Sequence, residues 1–259
     1  MSLFDLRGKV AIITGSSKGI GKAIGERMAE HGASVVISSR NQATCETVAG
    51  EIRAGGGSAL AKACHIGRKE DLRALVDATL AAFGRIDILV CNAAINPYFG
   101  PSIDITDEVY DKVVDYNLRS NFWLCNMALP EMVKQGGGSI ILISSIAGFQ
   151  GNDRLGVYAI TKAAEMQLAR NLAVEWGHHN IRANTIAPGL IQTDFAREIW
   201  ESEDRLKLAK ASTPLNRIGD PDDVAGAAVM LAAAAGKFIS GQTLLIDGGR
   251  AISGRVGIN

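Results

Sequence analysis

Tyr158 and Lys162 stand four residues apart in Tyr158-Ala159-Ile160-Thr161-Lys162, a spacing that puts a phenol and an ammonium on one helix face. A phenol titrating near 10 is a weak base at neutral pH. A neighbouring cation favours its phenolate, so the pair is suited to moving a proton at an oxygen atom. Ser145 lies thirteen residues upstream of Tyr158, just after an apolar run that reads as a strand. Open α/β sheets hold their ligands at the C-terminal ends of strands, where a hydroxyl can hold a substrate oxygen or a developing oxyanion. Ser144 competes for that role, and ordinary loop hydrogen bonding is the plainer reading of both serines.

A second group is suited to holding phosphate. Thr14-Gly15-Ser16-Ser17-Lys18-Gly19-Ile20-Gly21 follows the first predicted strand and opens a helix. Glycines at such a turn let backbone N–H groups approach a pyrophosphate at the positive end of the helix. The spacing is G-x3-G-x-G rather than the commoner G-x-G-x-x-G. At the end of the second predicted strand, where a carboxylate would hold the ribose 2′-hydroxyl of NAD, the sequence is Ser38-Ser39-Arg40. A serine followed by a guanidinium binds a 2′-phosphate instead, and Lys18 can reach the same group. NADP(H) is therefore the expected cofactor. The bland alternative is two solvated cations.

The elements that must position these residues are read from periodicity. Short apolar runs at 10–13, 35–38, 59–63, 86–90, 139–143, 181–186 and 243–246 predict seven strands. Between them, helices are predicted at about 19–31, up to 54, 69–83, 107–134 with a break near 115–117, 155–177 and 221–235. This alternation predicts an α/β fold, a Rossmann-like doubly wound parallel sheet with helices on both faces, in a single domain over 1–259. The segment 193–212 is more charged and less periodic.

Composition narrows the function. The 27 Lys+Arg balance 27 Asp+Glu, which argues against a dedicated nucleic-acid binder. Glycine supplies 29 of 259 residues, about 11% against a usual share of about 7%. The longest uncharged stretch, 135–152, is rich in glycine and serine and reads as loop, strand and loop, so no membrane association is expected. Asp5 and Arg7 interrupt what would be the apolar region of a signal peptide. Cys45, Cys64, Cys91 and Cys125 form no C-x-x-C and no metal-ligand spacing with the four histidines. They read as small buried hydrophobes of a cytoplasmic protein, with no metal site.

Taken together, these residues resemble the short-chain dehydrogenase/reductase family from about Gly8 to Gly249. The likeness rests on the Thr14–Gly21 turn, Asn92-Ala93-Ala94, Asn117, Ser145, Tyr158, Lys162 and Pro188-Gly189 in that order. The run from Asn92 to Gly100, with Ser38-Ser39-Arg40, is similar to the NADPH-dependent carbonyl reductases of the family's member 4 type.

The resemblance implies Tyr158 as general acid/base, and Lys162 as the residue that binds the nicotinamide ribose and lowers the tyrosine's pKa. It implies Ser145 as orienting the carbonyl and Asn117 as holding, through its main chain, a water that links Lys162 to solvent. Asn92 and Ala93 would line the cofactor, while Ile191 and Thr193, after Pro188-Gly189, would bind the carboxamide. His65 stands where the family often has an aspartate at the adenine, and Ile66 would pack on that ring. The family also implies a lid at 193–212, a small carbonyl or alcohol substrate, and a homotetramer using the 155–177 helix and the chain's end. A 3-oxoacyl-thioester reductase, with Arg154, Arg197 and Arg205 facing an acyl carrier, and a non-catalytic NADP-binding sensor are the alternatives. A sugar-nucleotide epimerase or dehydratase is a weaker rival, because only about 70 residues follow Pro188. Tyr98, Phe99, Phe149, Leu155, Phe195 and Trp200 suggest an apolar or aromatic ketone, with plain core packing as the other reading.

Overall fold

Seven strands form one parallel sheet in the computed structural model, which describes residues 2–253. They are β1 (Val10–Thr14), β2 (Ser34–Ser38), β3 (Ser58–Ala61), β4 (Ile88–Cys91), β5 (Gly138–Ile143), β6 (Ile181–Pro188) and β7 (Thr243–Ile246). Their order is β3-β2-β1-β4-β5-β6-β7, so the chain reverses direction across the sheet between β1 and β4. Ligands of open α/β sheets bind in the crevice at such a switch point.

Period-two alternation sorts the strand side chains between two cores. Ile13, Val35, Ile37, Val90 and Ile141 pack under α1 (Gly19–Glu30) and α2 (Gln42–Ala54), and with Val224 and Val229 of the helix Pro221–Ala232. Ile12, Val36, Leu89, Ile140 and Leu142 face the other way, onto Leu72 and Leu75 of α3 (Lys69–Phe83) and onto Leu124, Met132 and Leu172. Both faces are covered, which is the predicted doubly wound layering. All four cysteines are free and buried.

Two boundaries differ from the sequence reading for physical reasons. The 107–134 region is not broken. Helix α4 (Asp107–Val114) runs through a single π-helical turn, Asp115–Arg119, into α5 (Ser120–Lys134). Strand β4 begins at Ile88 rather than 86, and just before it the Asp87 carboxylate accepts from Lys9 Nζ and Val10 N. Helix α6 (Gly156–Trp176) carries Tyr158 and Lys162. The segment after β6 folds as a 3₁₀ turn, Asp194–Ala196, then α7 (Arg197–Trp200) and α8 (Glu203–Ala211). Helix α9 (Pro221–Ala232) starts with Pro221 inside an Asp220/Asp223 capping box, where a missing N–H costs nothing.

Candidate active site

The glycine turn is fixed from β4. Thr14 Oγ1 accepts hydrogen bonds from the backbone N–H of Asn92 (3.0 Å) and Ala93 (3.1 Å). The Asn92 side-chain amide donates in return to the carbonyls of Thr14 (2.9 Å) and Gly15 (3.1 Å). Gly15 and Gly19 have φ of +66° and +56°, the left-handed region that favours glycine. A Cβ on Gly21 would collide with the Gly15 carbonyl. Lys18 is the N-cap of α1, yet no side chain caps the helix's first N–H groups. A glycine-rich turn at an uncapped helix N-terminus fits the pyrophosphate of a nicotinamide dinucleotide. Ser16, not its half-buried neighbour Ser17, ties the turn to β2, by accepting a hydrogen bond from Ser38 N (2.8 Å). Ile20 packs into the core below.

At the end of β2, Arg40 is exposed and makes no ion pair among the described residues, while the Ser39 hydroxyl lies 3.1 Å from Cys45 Sγ. Lys18 is not free: its Nζ lies 3.0 Å from Asp194 Oδ2. His65 turns its Nε2 to the Tyr116 hydroxyl at 3.1 Å, and its buried Nδ1 has no partner among the described residues. Ile66 packs against the second core.

Helix α6 brings Tyr158 and Lys162 to the C-terminal end of β5. Ser144 is buried and donates to the Lys162 carbonyl at 2.7 Å, a structural tie between β5 and α6. Ser145 is half-buried, accepts from Ala147 N at 3.1 Å and faces the Tyr158 phenol, whose ionised form it favours. This separates the two serines. Lys162 Nζ lies 5.5 Å from the Tyr158 ring centroid, donates to the Ile143 carbonyl at 2.9 Å, and meets Glu165 Oε1 and Oε2 at 3.0 and 3.1 Å.

Burial raises the Tyr158 phenol above its ordinary value; Lys162 and Ser145 pull it down, and Glu165 pushes it up. The lowering expected from Lys162 therefore operates but is outweighed. Burial works against the Lys162 ammonium, yet Glu165 and Tyr158 more than compensate and hold its titration above the ordinary lysine value. Glu165 is the residue the sequence reading missed. Its signal was present, since 158, 162 and 165 follow the i, i+4, i+7 stripe of one helix face.

Asn117 lies fully buried in the π-helical turn. Its side-chain amide donates to Ile95 O (2.9 Å) and Thr161 Oγ1 (3.2 Å) and accepts from Ile95 N (2.8 Å). Its carbonyl accepts from the Asn121 amide at 2.7 Å.

Beyond β6, Gly189 leaves no room for a side chain against Asp247. Ile191 is buried and bridges to Gly219, and the Thr193 carbonyl accepts from Trp200 Nε1 at 2.8 Å. Phe195 is 62% exposed, with its ring centroid 6.2 Å from that of Tyr158. Phe99 and Phe149 are also exposed, so these three aromatics are not core residues. A small cleft at Tyr158 is lined by Asn96, Tyr98, Ile105, Leu155 and Val157.

With this geometry in place, likeness to known proteins decides the family. A family model described as enoyl-(acyl carrier protein) reductase matches residues 15–251. Dehydrogenase/reductase SDR family member 4 of Bos taurus is 41% identical over 244 residues, 94% of this chain and 88% of that protein. The chain belongs to the short-chain dehydrogenase/reductase family. The Homo sapiens protein of the same name is 40% identical over the same share of each chain. Among solved short-chain dehydrogenases, a 7α-hydroxysteroid dehydrogenase complexed with NADH and 7-oxo glycochenodeoxycholic acid superposes with a TM-score of 0.91 at 39% identity, covering 95% of this chain and 96% of that one. A gluconate 5-dehydrogenase from Burkholderia cenocepacia J2315, in complex with NADP and tartrate, gives 0.93 at 33% identity over 97% and 98%. This short-chain dehydrogenase/reductase is thus an oxidoreductase with a Rossmann-like, nicotinamide-binding fold. Among its described residues no helix is long and apolar enough to cross a membrane.

Proposed function

We propose that the protein is an NADP(H)-dependent carbonyl reductase/alcohol dehydrogenase that uses Tyr158 as its general acid/base. The observation that carries this reading is the placement of Ser145, Tyr158 and Lys162 at the C-terminal end of β5, the same edge of the parallel sheet at which the glycine turn follows β1. Bound NADP(H) supplies or accepts the hydride at its nicotinamide C4. In reduction Tyr158 donates its phenolic proton to the carbonyl oxygen, and in oxidation its phenolate takes the hydroxyl proton. Ser145 holds the same oxygen. Lys162 binds the nicotinamide ribose and stabilises the phenolate, and Asn117 sets the helix turn behind it.

Gly15, Ser17, Gly19, Ile20 and Gly21 hold the pyrophosphate, Lys18, Ser39 and Arg40 the 2′-phosphate, and His65 and Ile66 border the adenine. Asn92, Ala93, Pro188, Gly189, Ile191 and Thr193 hold the nicotinamide half. The unpaired Arg40 supports NADP over NAD. The 193–212 segment is a lid on one 1–259 domain, and the exposed Phe99, Phe149 and Phe195 favour an apolar or aromatic ketone. The thioester-reductase reading is weakened because Arg197 is paired with Asp194 and Arg154 lies over Phe99. The homotetramer would use the 155–177 helix, whose Leu168 lines a groove with Leu118 and Phe122, and the chain's end, of which 254–259 lie outside the described residues; four buried free thiols suit the cytoplasm.

A panel of ketones, aldehydes, secondary alcohols and a 3-oxoacyl thioester, assayed with NADPH and NADH, tests the reading. Tyr158→Phe is expected to lower turnover about 100- to 10,000-fold while retaining NADPH binding. Near-normal activity in that variant overturns the assignment.

A further inference from the structure

A carboxylate with no exposure to solvent stands one turn beyond Lys162, and the acid/base mechanism as derived makes no use of it. Glu165 is fully buried and Lys162 is 2% exposed. Both Glu165 oxygens face Lys162 Nζ, and Oε1 also accepts from the Asn121 amide at 3.1 Å. Burying a carboxylate costs several kcal/mol unless it is paired, and an apolar side chain of similar volume would often serve packing equally well. The charge is therefore tied to its contacts. Lys162 has three N–H donors; Ile143 O and Glu165 engage at least two of them, so at most one remains for a further acceptor.

We infer that Glu165 is a positioning residue that holds the Lys162 ammonium against the Ile143 carbonyl and partly cancels its charge at Tyr158, keeping the phenol in its proton-donating form and favouring carbonyl reduction. This rests on the reading of Tyr158 as the acid/base. The groups facing the pair from each element are few. From α6 come Tyr158, Lys162 and Glu165; from the loop after β5 comes Ser145. The Cys91 thiol on β4 faces Lys162 and Glu165, with Cys125 of α5 against it, and burial together with that thiol contact keeps Cys91 neutral. Asn121 of α5 is uncharged. Burial and Glu165 raise the phenol's titration while Lys162 and Ser145 lower it, so Glu165 is the charge that opposes Lys162 there. Burial pushes Glu165 itself up to about 7, so it is charged in the alkaline range where phenols ionise.

The experiment is the pH profile of Glu165→Gln, which removes the charge but keeps an oxygen facing Lys162. The acid limb of alcohol oxidation is expected to move to lower pH by about one unit, a tenfold change in phenolate fraction on that limb. The alkaline limb of carbonyl reduction moves down with it, and Glu165→Asp, which keeps the charge, restores the wild-type profile. An unchanged profile, or a shift to higher pH, overturns the inference. Tyr158→Phe run in parallel separates the two readings. If that variant keeps turnover, the acid/base assignment fails. If it is inactive while Glu165→Gln matches wild type, only the role of Glu165 fails. Should the Gln variant fold poorly, Glu165→Met, which fills a similar volume without charge, carries the same test. Ultraviolet difference titration against Tyr158→Phe, without cofactor, should place its phenol midpoint below that of the wild type, and equal midpoints overturn the inference.

Discussion

Lys18 Nζ and Asp194 Oδ2 lie 3.0 Å apart, joining the phosphate turn after β1 to the 3₁₀ turn after β6 across 176 residues of chain. Arg197 pairs with the same carboxylate, and together the two cations hold Asp194 below the ordinary carboxylate range, Arg197 contributing more. A residue read as a phosphate ligand is thus engaged by the segment read as a lid. A 2′-phosphate near Lys18 competes with Asp194 for one ammonium.

That competition gives an asymmetric expectation for cofactor affinity. The pair is well exposed, 69% and 43%, so solvent screens it and its rupture costs little. Asp194→Asn should tighten NADPH by a few-fold at most and leave NADH unchanged. Arg40→Asp should weaken NADPH by about ten- to a hundredfold, the worth of a charge-assisted hydrogen bond. Fluorescence titration with each cofactor reads both variants. A wild-type preference for NADH would refute the roles given to Lys18 and Arg40.

The turn itself is tested by adding one methyl group. A Cβ on Gly21 meets the Gly15 carbonyl and, at 2.6 Å, the Asn92 amide nitrogen, and neither can retreat without disturbing the turn. Gly21→Ala should therefore weaken NADPH more than tenfold and cost about 1–3 kcal/mol of stability. Gly226→Ala is the control. Gly226 is an exposed position within α9 with open space at its Cβ, so the change should stabilise by about 0.5–1 kcal/mol without touching affinity. Equal thermal shifts in the two variants would contradict the steric argument.

The contrast between Tyr158 and Glu165 shows what the sequence makes legible. Tyr158, Lys162 and the glycine turn announce themselves because their chemistry is local: a helical spacing, and a cluster of glycines after an apolar run. The seven strands are legible for the same reason, since burial on both faces makes them short apolar runs. Glu165 looks like any polar helix position until α5 brings Asn121 to it from 44 residues away. The tie of Ser144 to α6, the pairing of Lys18 with Asp194 and the hold of Thr14 on Asn92 are likewise long-range contacts. The π-helical turn at Asn117 shows in the sequence only as the break expected near 115–117, because the pattern does not tell that the helix continues through it. Even the expected effect of Lys162 on Tyr158 reversed in balance, since burial and a second charge are properties of the packed site.

Asp87 gives a prediction about stability rather than chemistry. Its carboxylate is 5% exposed and accepts from Val10 N (3.0 Å), Lys9 Nζ (3.1 Å), Arg85 Nε (2.7 Å) and Arg85 Nη2 (2.6 Å). Its own N–H donates to Val10 O, and its carbonyl accepts from Ser139 N, so one residue joins the leading ends of β1, β4 and β5. Burial alone would raise its pKa, but Arg85, the Val10 N–H and Lys9 together hold it below the ordinary value. For a carboxylate lowered on folding, the stabilisation is complete above the unfolded value of about 3.9 and is lost as pH falls through the lower folded value. Asp87→Asn should therefore lose about 2–3 kcal/mol at neutral pH, from charge-assisted hydrogen bonds made weaker or unmade. The gap from wild type should narrow steadily below about pH 4, where the wild-type carboxylate itself becomes protonated. Urea unfolding midpoints at neutral and acid pH measure this directly. A deficit that stays constant across that range would mean Asp87 acts through shape alone, not through its charge.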